Sequence, residues 1–161
     1  VEVEKKSKFP KIVISRQHED FLKELFWVEI PEIDDGTIEI KSVSREAGSR
    51  AKVAVYSTQE GLDTVGACIG QKGQRIKTIV DELNGEKIDI IEWVADKAEF
   101  VKASLSPAQV KTVEILEDHV TARVVVHPSQ LSLAIGKSGQ NARLAAKLTN
   151  MRIDIKTEEV K

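Results

Sequence analysis

The sequence contains one pattern twice, and this internal repeat constrains the fold more than any other feature. Residues 69–74 (Ile-Gly-Gln-Lys-Gly-Gln) match residues 135–140 (Ile-Gly-Lys-Ser-Gly-Gln) at an offset of 66. The tripeptide Ile-Asp-Ile at 88–90 recurs at 153–155, at an offset of 65. Because each copy spans roughly 65–80 of the 161 residues, the chain is expected to form two small related domains rather than one.

The predicted order of helices and strands is the same in both copies. For the first copy, hydrophobic periodicity and turn residues predict helices over 19–27, 65–69 and 74–83, and strands over 37–44, 52–56 and 87–93. For the second copy they predict helices over 96–103, 130–135 and 140–148, and strands over 109–116, 121–127 and 151–156. Ser15 is expected to cap the first helix. Each copy is therefore α-β-β-α-α-β, an α+β arrangement.

Each copy places a Gly-x-x-Gly loop between its two adjacent helices. The first loop is Gly70-Gln71-Lys72-Gly73 and the second loop is Gly136-Lys137-Ser138-Gly139. Glycine permits positive φ and a close approach of another backbone. The helix that follows begins with unpaired N–H groups and a partial positive charge, which together favour a phosphate. Each loop also contains a lysine. The two loops are therefore predicted to be two binding sites for a nucleic-acid backbone.

The distribution of charge supports this interpretation better than the total charge does. The formal net charge is −2, and acidic residues are concentrated at 17–39. Neither 64–80 nor 121–153 contains an Asp or Glu, although both contain Lys and Arg. Phosphate binding requires a local positive potential rather than a net positive charge on the whole chain. Both loops lie in the segments without acidic residues, where such a potential is expected.

Base recognition requires further groups beside the loops. Aliphatic Ile69 and Ile135, the amides of Gln74, Gln140 and Asn141, and the guanidinium groups of Arg75 and Arg143 are candidates, although each also fits simple solvation of a helix surface. The basic segments contain no Phe or Trp, so aromatic stacking is not expected to be the main device. The predicted RNA-binding residues are Ile69, Gly70, Gln71, Lys72, Gly73, Gln74, Arg75, Ile135, Gly136, Lys137, Ser138, Gly139, Gln140, Asn141 and Arg143.

The sequence offers little support for catalysis, a cofactor or a metal. Gly136-Lys137-Ser138 lacks the upstream glycine of a nucleotide-binding P-loop, because Leu131 occupies that position. The three histidines have no metal-ligand spacing with the single cysteine, Cys68, which is expected to be a small buried residue. We therefore predict no catalytic residues, no metal site and no cofactor.

Two further expectations concern packing. Trp27 and Trp93 are predicted to pack in a core or between the domains. The long helix of the second copy carries Ala142, Ala145 and Ala146 where the first copy has larger aliphatic residues. Such small side chains predict a close approach to a neighbouring element, which we expect to lie between the two domains.

The order α-β-β-α-α-β with Gly-x-x-Gly between the helices resembles the type II, prokaryotic KH domain, which binds RNA. Segments 65–70, 83–90 and 131–145 further resemble the tandem KH region of the NusA family of bacterial transcription factors, and 30–37 also fits. The resemblance implies two tandem type II KH domains at 16–94 and 95–161, each with a three-stranded sheet packed by helices. It implies that residues 1–15 are the tail of a preceding OB-type domain and a linker.

The same resemblance implies a function and partners. The implied partner is single-stranded nascent RNA, bound in transcription elongation, termination and antitermination, with RNA polymerase contacted through parts outside this chain. A cytoplasmic monomer that is not an enzyme and does not contact a membrane is expected. Two other functions remain open: a protein–protein scaffold with degenerate loops, against which the two loop lysines argue, and an accessory domain of an enzyme such as a GTPase or nuclease.

Overall fold

The structure, a computed structural model, describes residues 19–158. The first domain contains helices α1 (Glu19–Glu29), α2 (Pro31–Asp34), α3 (Thr64–Ile69) and α4 (Gln74–Glu82) and strands β1 (Glu39–Glu46), β2 (Arg50–Tyr56) and β3 (Lys87–Glu92). The second domain contains helices α5 (Lys97–Ser104), α6 (Leu131–Ile135) and α7 (Gln140–Thr149) and strands β4 (Thr112–Ile115), β5 (Thr121–Val126) and β6 (Arg152–Thr157). Single 3₁₀ turns occupy Gln71–Gly73, Pro128–Gln130 and Lys137–Gly139.

The two sheets have the same topology. Each has three strands, in the orders β1-β2-β3 and β4-β5-β6. The first pair of each sheet is antiparallel and the second pair is parallel. A parallel pair requires a crossover connection, and in both domains the two helices around the glycine loop supply it. The predicted α+β fold with two three-stranded sheets is therefore confirmed.

One face of each sheet forms the core of its own domain. In the first domain, Val53 and Val55 of β2 pack against Leu22 and Phe26 of α1, and all four side chains are buried. In the second domain, the corresponding face of β5 carries Ala122, Val124 and Val126, which are wholly buried. The alternation along β2 and β5 assigns the intervening residues to the opposite face of each sheet.

That opposite face is covered in the first domain and open in the second. Helix α7 packs on β1 and β2, and the hydroxyl groups of Ser42 and Ser44 donate to the carbonyl oxygens of Leu148 (2.9 Å) and Leu144 (2.8 Å). As a result β2 is buried on both faces, whereas Arg123, on the equivalent face of β5, is exposed. The expected close approach of this helix to the first domain is thus observed, although Ala145 itself lies in the core of the second domain.

A buried ionic cluster lies at the contact between the domains. Lys52 has no exposed side-chain surface, and its Nζ donates to Asp89 Oδ2 (2.9 Å) and to the carbonyl oxygen of Ser106 (2.8 Å) in the second domain. Arg50 donates to the same carboxylate oxygen from NH2 (2.7 Å). Burial lowers the pKa of Lys52 to about 8, against the opposing effect of Asp89. The apolar part of the contact is formed by Ala54, Ile91, Phe100 and Leu148.

The structure differs in several details from what the sequence predicts for the tryptophans, the helices and the strands. Trp27 is 54% exposed, because the buried stripe of α1 runs through Leu22 and Phe26 and leaves the next residue on the outer side. Trp93 is half-buried and makes an edge contact with Phe100, at a centroid distance of 6.3 Å, between the domains. Helix α2 was not predicted, and β4 is shorter than expected. The proposed cap Ser15 lies outside the described residues.

We expect removal of one partner of the buried cluster to destabilise the protein strongly, and the repeat supplies a matched control. Asp89→Ala leaves Lys52 buried without its counter-charge, and removing one partner of a buried pair costs about 3–5 kcal/mol of unfolding free energy. Asp154, the equivalent residue in the second domain, has an exposed side chain 3.8 Å from Lys156. Asp154→Ala should therefore cost less than about 1 kcal/mol. Urea denaturation measures both, and equal losses would contradict a structural role for the cluster.

Candidate nucleic-acid interface

The two glycine loops have the same backbone conformation. Gly70 and Gly136 have φ/ψ values of 83°/170° and 81°/169°, and each follows the last residue of a short helix. The third loop residues, Lys72 and Ser138, adopt left-handed values of 55°/28° and 54°/28°. The sequence repeat therefore extends to the backbone geometry of the candidate site, although the two loops differ in their central residues.

The first glycine of each loop is required by space as well as by its positive φ. A Cβ on Gly70 would lie 2.7 Å from Arg75 Cγ and 3.0 Å from the Arg75 backbone nitrogen. A Cβ on Gly136 would lie 2.6 Å from the Asn141 backbone nitrogen. The first turn of each following helix thus packs directly against the loop, which brings the start of that helix and the loop backbone together.

The third residue of each loop holds a conformation that side chains rarely adopt. A left-handed non-glycine residue costs about 1 kcal/mol or more, and such strain is found most often at functional sites. Both Lys72 and Ser138 are exposed. The surrounding structure therefore holds each loop in a strained shape that leaves its central side chains in solvent.

Each glycine loop contains a lysine and adjoins a helix N-terminus. Helices α4 and α7 have no acidic residue in their first turn. Lys72 and Lys137 are exposed, and within residues 19–158 neither takes part in an ion pair. A helix N-terminus attracts an anion by about 0.3–1 kcal/mol, and an unpaired lysine adds to this attraction. Each loop thus combines a helix N-terminus with an exposed lysine, two features that favour a phosphate.

The remaining predicted residues divide into exposed and supporting positions. Gln71, Gln74 and Ile135 are exposed, Ile69 is half-buried at the end of α3, and Gly73 and Gly139 complete the loops. These residues, with the two lysines and Ser138, form two exposed patches that a ligand can reach.

Asn141 is the one predicted contact residue that the structure removes from the surface. Its side chain is wholly buried, and its Nδ2 donates to the carbonyl oxygens of Ala134 (2.9 Å) and Leu105 (3.0 Å). The prediction that its amide meets RNA is therefore corrected: the residue supports the second loop from behind. Arg75 occupies the equivalent position in the first domain and donates to the carbonyl oxygen of Ala67 (2.8 Å) and to Glu32 Oε1 (2.7 Å).

Gln140 and Arg143 are engaged by the first domain. Arg143 forms a two-point contact with the Glu46 carboxylate, from Nε and from NH2 (3.0 Å), and its NH1 donates to the Ser138 carbonyl oxygen (3.0 Å). Gln140 Nε2 donates to Glu46 Oε1 (3.0 Å) and to Ser49 Oγ (2.7 Å). The residues predicted from the sequence do not include Glu32, Glu46 or Ser49. Each lies far from the glycine loops in sequence, and no local pattern marks it.

The described residues contain neither an accessible thiol nor a metal-binding cluster. Cys68 is wholly buried, and burial raises the pKa of its thiol to about 12. Residues 19–158 contain no group of three or more His, Cys, Asp or Glu side chains able to hold a metal ion. In the same part of the chain, no helix is long and apolar enough to cross a membrane.

Comparison with known proteins identifies the family. Residues 16–93 match the NusA-like first KH domain, and residues 97–161 match the NusA-like second KH domain. The chain belongs to the NusA family of tandem KH domains. Its resemblance to that family, noted from the glycine loops and their flanks, is confirmed.

Curated relatives support the same assignment. The chain is 57% identical over 156 residues to the transcription termination/antitermination protein NusA of Halalkalibacterium halodurans, and 56% identical to that of Bacillus subtilis, in both cases over 97% of the chain. It is 49% identical to the Thermus thermophilus NusA over 98% of the chain. The chain spans about two fifths (41–42%) of the length of these relatives. They are named for a role in transcription rather than for a catalysed reaction, which agrees with the prediction that the chain is not an enzyme.

A solved structure shows the same fold at low sequence identity. The crystal structure of APE1850 matches with a TM-score of 0.59 and 23% identity, over 89% of this chain and 100% of that one. The fold of this chain is therefore also found in a protein of low sequence identity.

The crowded first glycine of the second loop gives a prediction about stability. Gly136→Ala combines a φ of +81° with a backbone contact at 2.6 Å, so we expect a loss of about 2–4 kcal/mol of unfolding free energy. Gly48 has a similar φ of +82° but open space around its Cβ position. Gly48→Ala should cost about 1 kcal/mol. Thermal or urea unfolding compares them, and equal effects would show that the loop is not closely packed on α7.

The contact of Glu46 with Arg143 and Gln140 predicts that the unfolding free energy falls at acid pH. Hydrogen bonds from Arg143 and Gln140 lower the pKa of Glu46 from 4.5 to about 2. A carboxyl group with a lowered folded-state pKa stabilises the fold above its unfolded pKa, and that stabilisation is lost as pH falls from about 4.5 toward 2. We expect the unfolding free energy of Glu46→Gln to change less with pH between about 4.5 and 2 than that of the wild type. Urea unfolding at several pH values tests this, and an unchanged slope would contradict it.

Proposed function

We propose that this chain binds one single-stranded RNA with both glycine loops, as the RNA-binding part of a transcription termination and antitermination factor. The observation that carries the proposal is the repetition of one strained loop conformation, each time at a helix N-terminus and with an exposed, unpaired lysine in the described structure. The names of the curated relatives supply the transcriptional setting.

The fixed contact between the domains supports binding of a single strand by both loops. One loop offers a helix-end attraction of only about 0.3–1 kcal/mol and a lysine, so it should bind weakly alone. Because α7 packs on the first sheet and Lys52 bonds across the contact, the second loop has a defined place relative to the first domain. A strand held by one loop then meets the other at a high effective concentration.

The type of ligand follows from what the loops can contact. Backbone amides, helix ends and lysines recognise phosphates, which every nucleic acid carries. A single strand leaves its base edges open to the exposed Gln71, Gln74 and Ile135, whereas a duplex pairs them. Binding to RNA polymerase through parts outside this chain, a monomeric state and a cytoplasmic location belong to the same proposal.

Acidic substitutions in the loops test the proposal directly. We expect Gln71→Asp with Lys72→Asp to weaken binding of an unstructured RNA, Lys137→Asp with Ser138→Asp to do the same, and all four together to nearly abolish it. A carboxylate repels the phosphate that each loop attracts. Titration of a fluorescent oligouridylate, measured by anisotropy, reports the affinities.

A matched control separates a local effect from a change in net charge. Lys111→Asp with Thr112→Asp changes the net charge by the same amount as each loop variant. Both positions are exposed: Lys111 precedes β4, and Thr112 is its first residue. Strand β4 is an edge strand of the second sheet, outside the β5–β6 pair that α6 and α7 connect. This variant should keep most of the wild-type affinity. If both loop variants bind as tightly as the control, the assignment of the loops to RNA is wrong.

A further inference from the structure

The second loop is connected to the first domain by a short chain of hydrogen bonds. Glu46, the last residue of β1, accepts from Arg143 and Gln140. Arg143 also donates from NH1 to the carbonyl oxygen of Ser138 (3.0 Å), inside the loop. The same NH1 would lie 3.7 Å from a Cβ placed on Gly139. The Arg143 guanidinium therefore lies between the carboxylate of one domain and the loop backbone of the other.

The turn that presents Glu46 is itself held firmly. Arg45 and Glu86 form a two-point ion pair with distances of 2.8 and 2.9 Å, and both side chains are almost fully buried. Glu86 also accepts from the backbone N–H of Gly48 (2.9 Å), within the β1–β2 turn. Glu46 and Ser49, on either side of this turn, thus reach the second domain from a rigid support.

Within residues 19–158, the first loop has no equivalent support from the other domain. The residue that corresponds to Arg143 is Lys77, which pairs with Asp81 (3.0 Å) one turn along its own helix, and both side chains are exposed. The first loop is supported from within its own domain by Arg75 and Glu32. In the described part of the chain, the link to a neighbouring domain is therefore found at the second loop and not at the first.

We propose that Glu46 is a positioning residue for RNA binding by the second loop: it holds Arg143 and Gln140, and through Arg143 it fixes the Ser138 carbonyl and the loop backbone. This inference rests on the proposed function of the loops. It assigns Arg143 a role in holding the loop, where the sequence suggested a direct contact with RNA. It also means that docking on the β1–β2 turn of the first domain adds support to the second loop beyond that given by Asn141.

Removal of Glu46 is expected to change RNA affinity in opposite directions under a positioning role and under a purely electrostatic effect of its charge. Glu46 places a negative charge next to a site for phosphates, so removing it should strengthen RNA binding if charge alone matters. A positioning role predicts weaker binding, because Arg143 and Gln140 lose their shared acceptor. The same substitution therefore gives opposite results under the two explanations.

The experiment uses the full chain and the fluorescent oligouridylate. We expect Glu46→Ala to lower affinity about five- to tenfold, equivalent to about 1–1.4 kcal/mol. Glu46→Gln retains an acceptor oxygen and should recover part of the loss. Glu114→Ala removes a carboxylate that is 69% exposed on β4 and should leave affinity unchanged or slightly higher. Urea unfolding of each variant checks that the fold is intact.

Two further measurements are specific to positioning. Glu46→Ala should move the amide chemical shifts of Ser138 and Gly139 in the free protein and leave those of Lys72 and Gly73 in place. Combined with Lys137→Asp and Ser138→Asp, it should cause no additional loss of affinity, whereas it should keep its effect beside Gln71→Asp and Lys72→Asp. Arg143→Lys, which keeps the charge but not the two-point geometry, should weaken binding almost as much as Glu46→Ala.

The possible outcomes distinguish failure of this inference from failure of the proposed function. If the loop variants weaken binding while Glu46→Ala binds as tightly as Glu114→Ala, Glu46 has no positioning role and the proposed function stands. If Arg143→Lys retains full affinity, Arg143 acts as a cation and the inference is overturned. If the loop variants have no effect on affinity, the proposed function and this inference both fail.

Discussion

The arrangement depends on one contact, in which helix α7 of the second domain lies on the outer face of the first sheet. Because of this contact β2 is buried on both faces, and Lys52 is buried at a position where its equivalent in the second domain, Arg123, is exposed. Burying Lys52 is tolerated because Asp89 and the Ser106 carbonyl oxygen satisfy its ammonium group. Buried charges of this kind are poor sources of net stability, but they accept few alternative geometries. They therefore suit a contact that holds the two glycine loops in a fixed relation.

The glycine loops use a second constraint, which is local rather than tertiary. Each loop enters with a glycine pressed against the next helix and continues through a strained third residue. The strain is maintained from behind by the side chain at one equivalent position, which is Arg75 in the first domain and Asn141 in the second. The first domain uses a partly exposed ion pair with Glu32 for this purpose, and the second uses a buried amide. Two different chemical solutions thus hold the same backbone shape.

The sequence predicted what depends on near neighbours along the chain. Hydrophobic periodicity, together with glycines at turns and helix ends, predicted nearly every helix and strand, because such patterns reflect the local conformation of the backbone. The side chains around the loops were harder to assign. Asn141 bonds to Leu105, 36 residues away, and Arg143 bonds to Glu46, 97 residues away. An amide or guanidinium beside a basic loop fits a ligand contact and a structural bond equally well in sequence. Only the tertiary partners decide between them.

The covered first sheet and the open second sheet give the tandem a direction. Asp89 and Asp154 occupy matching places in the repeat, yet one neutralises a buried lysine and the other meets solvent. Exchanging the order of the two copies would bury the charged face formed around Arg123 and leave the face around Lys52 without its cover. The repeat is therefore symmetric in its backbone and asymmetric in its assembly. A strand of RNA is likewise directional, so under the proposed function the two ends of the pair would offer it distinct environments rather than two copies of one.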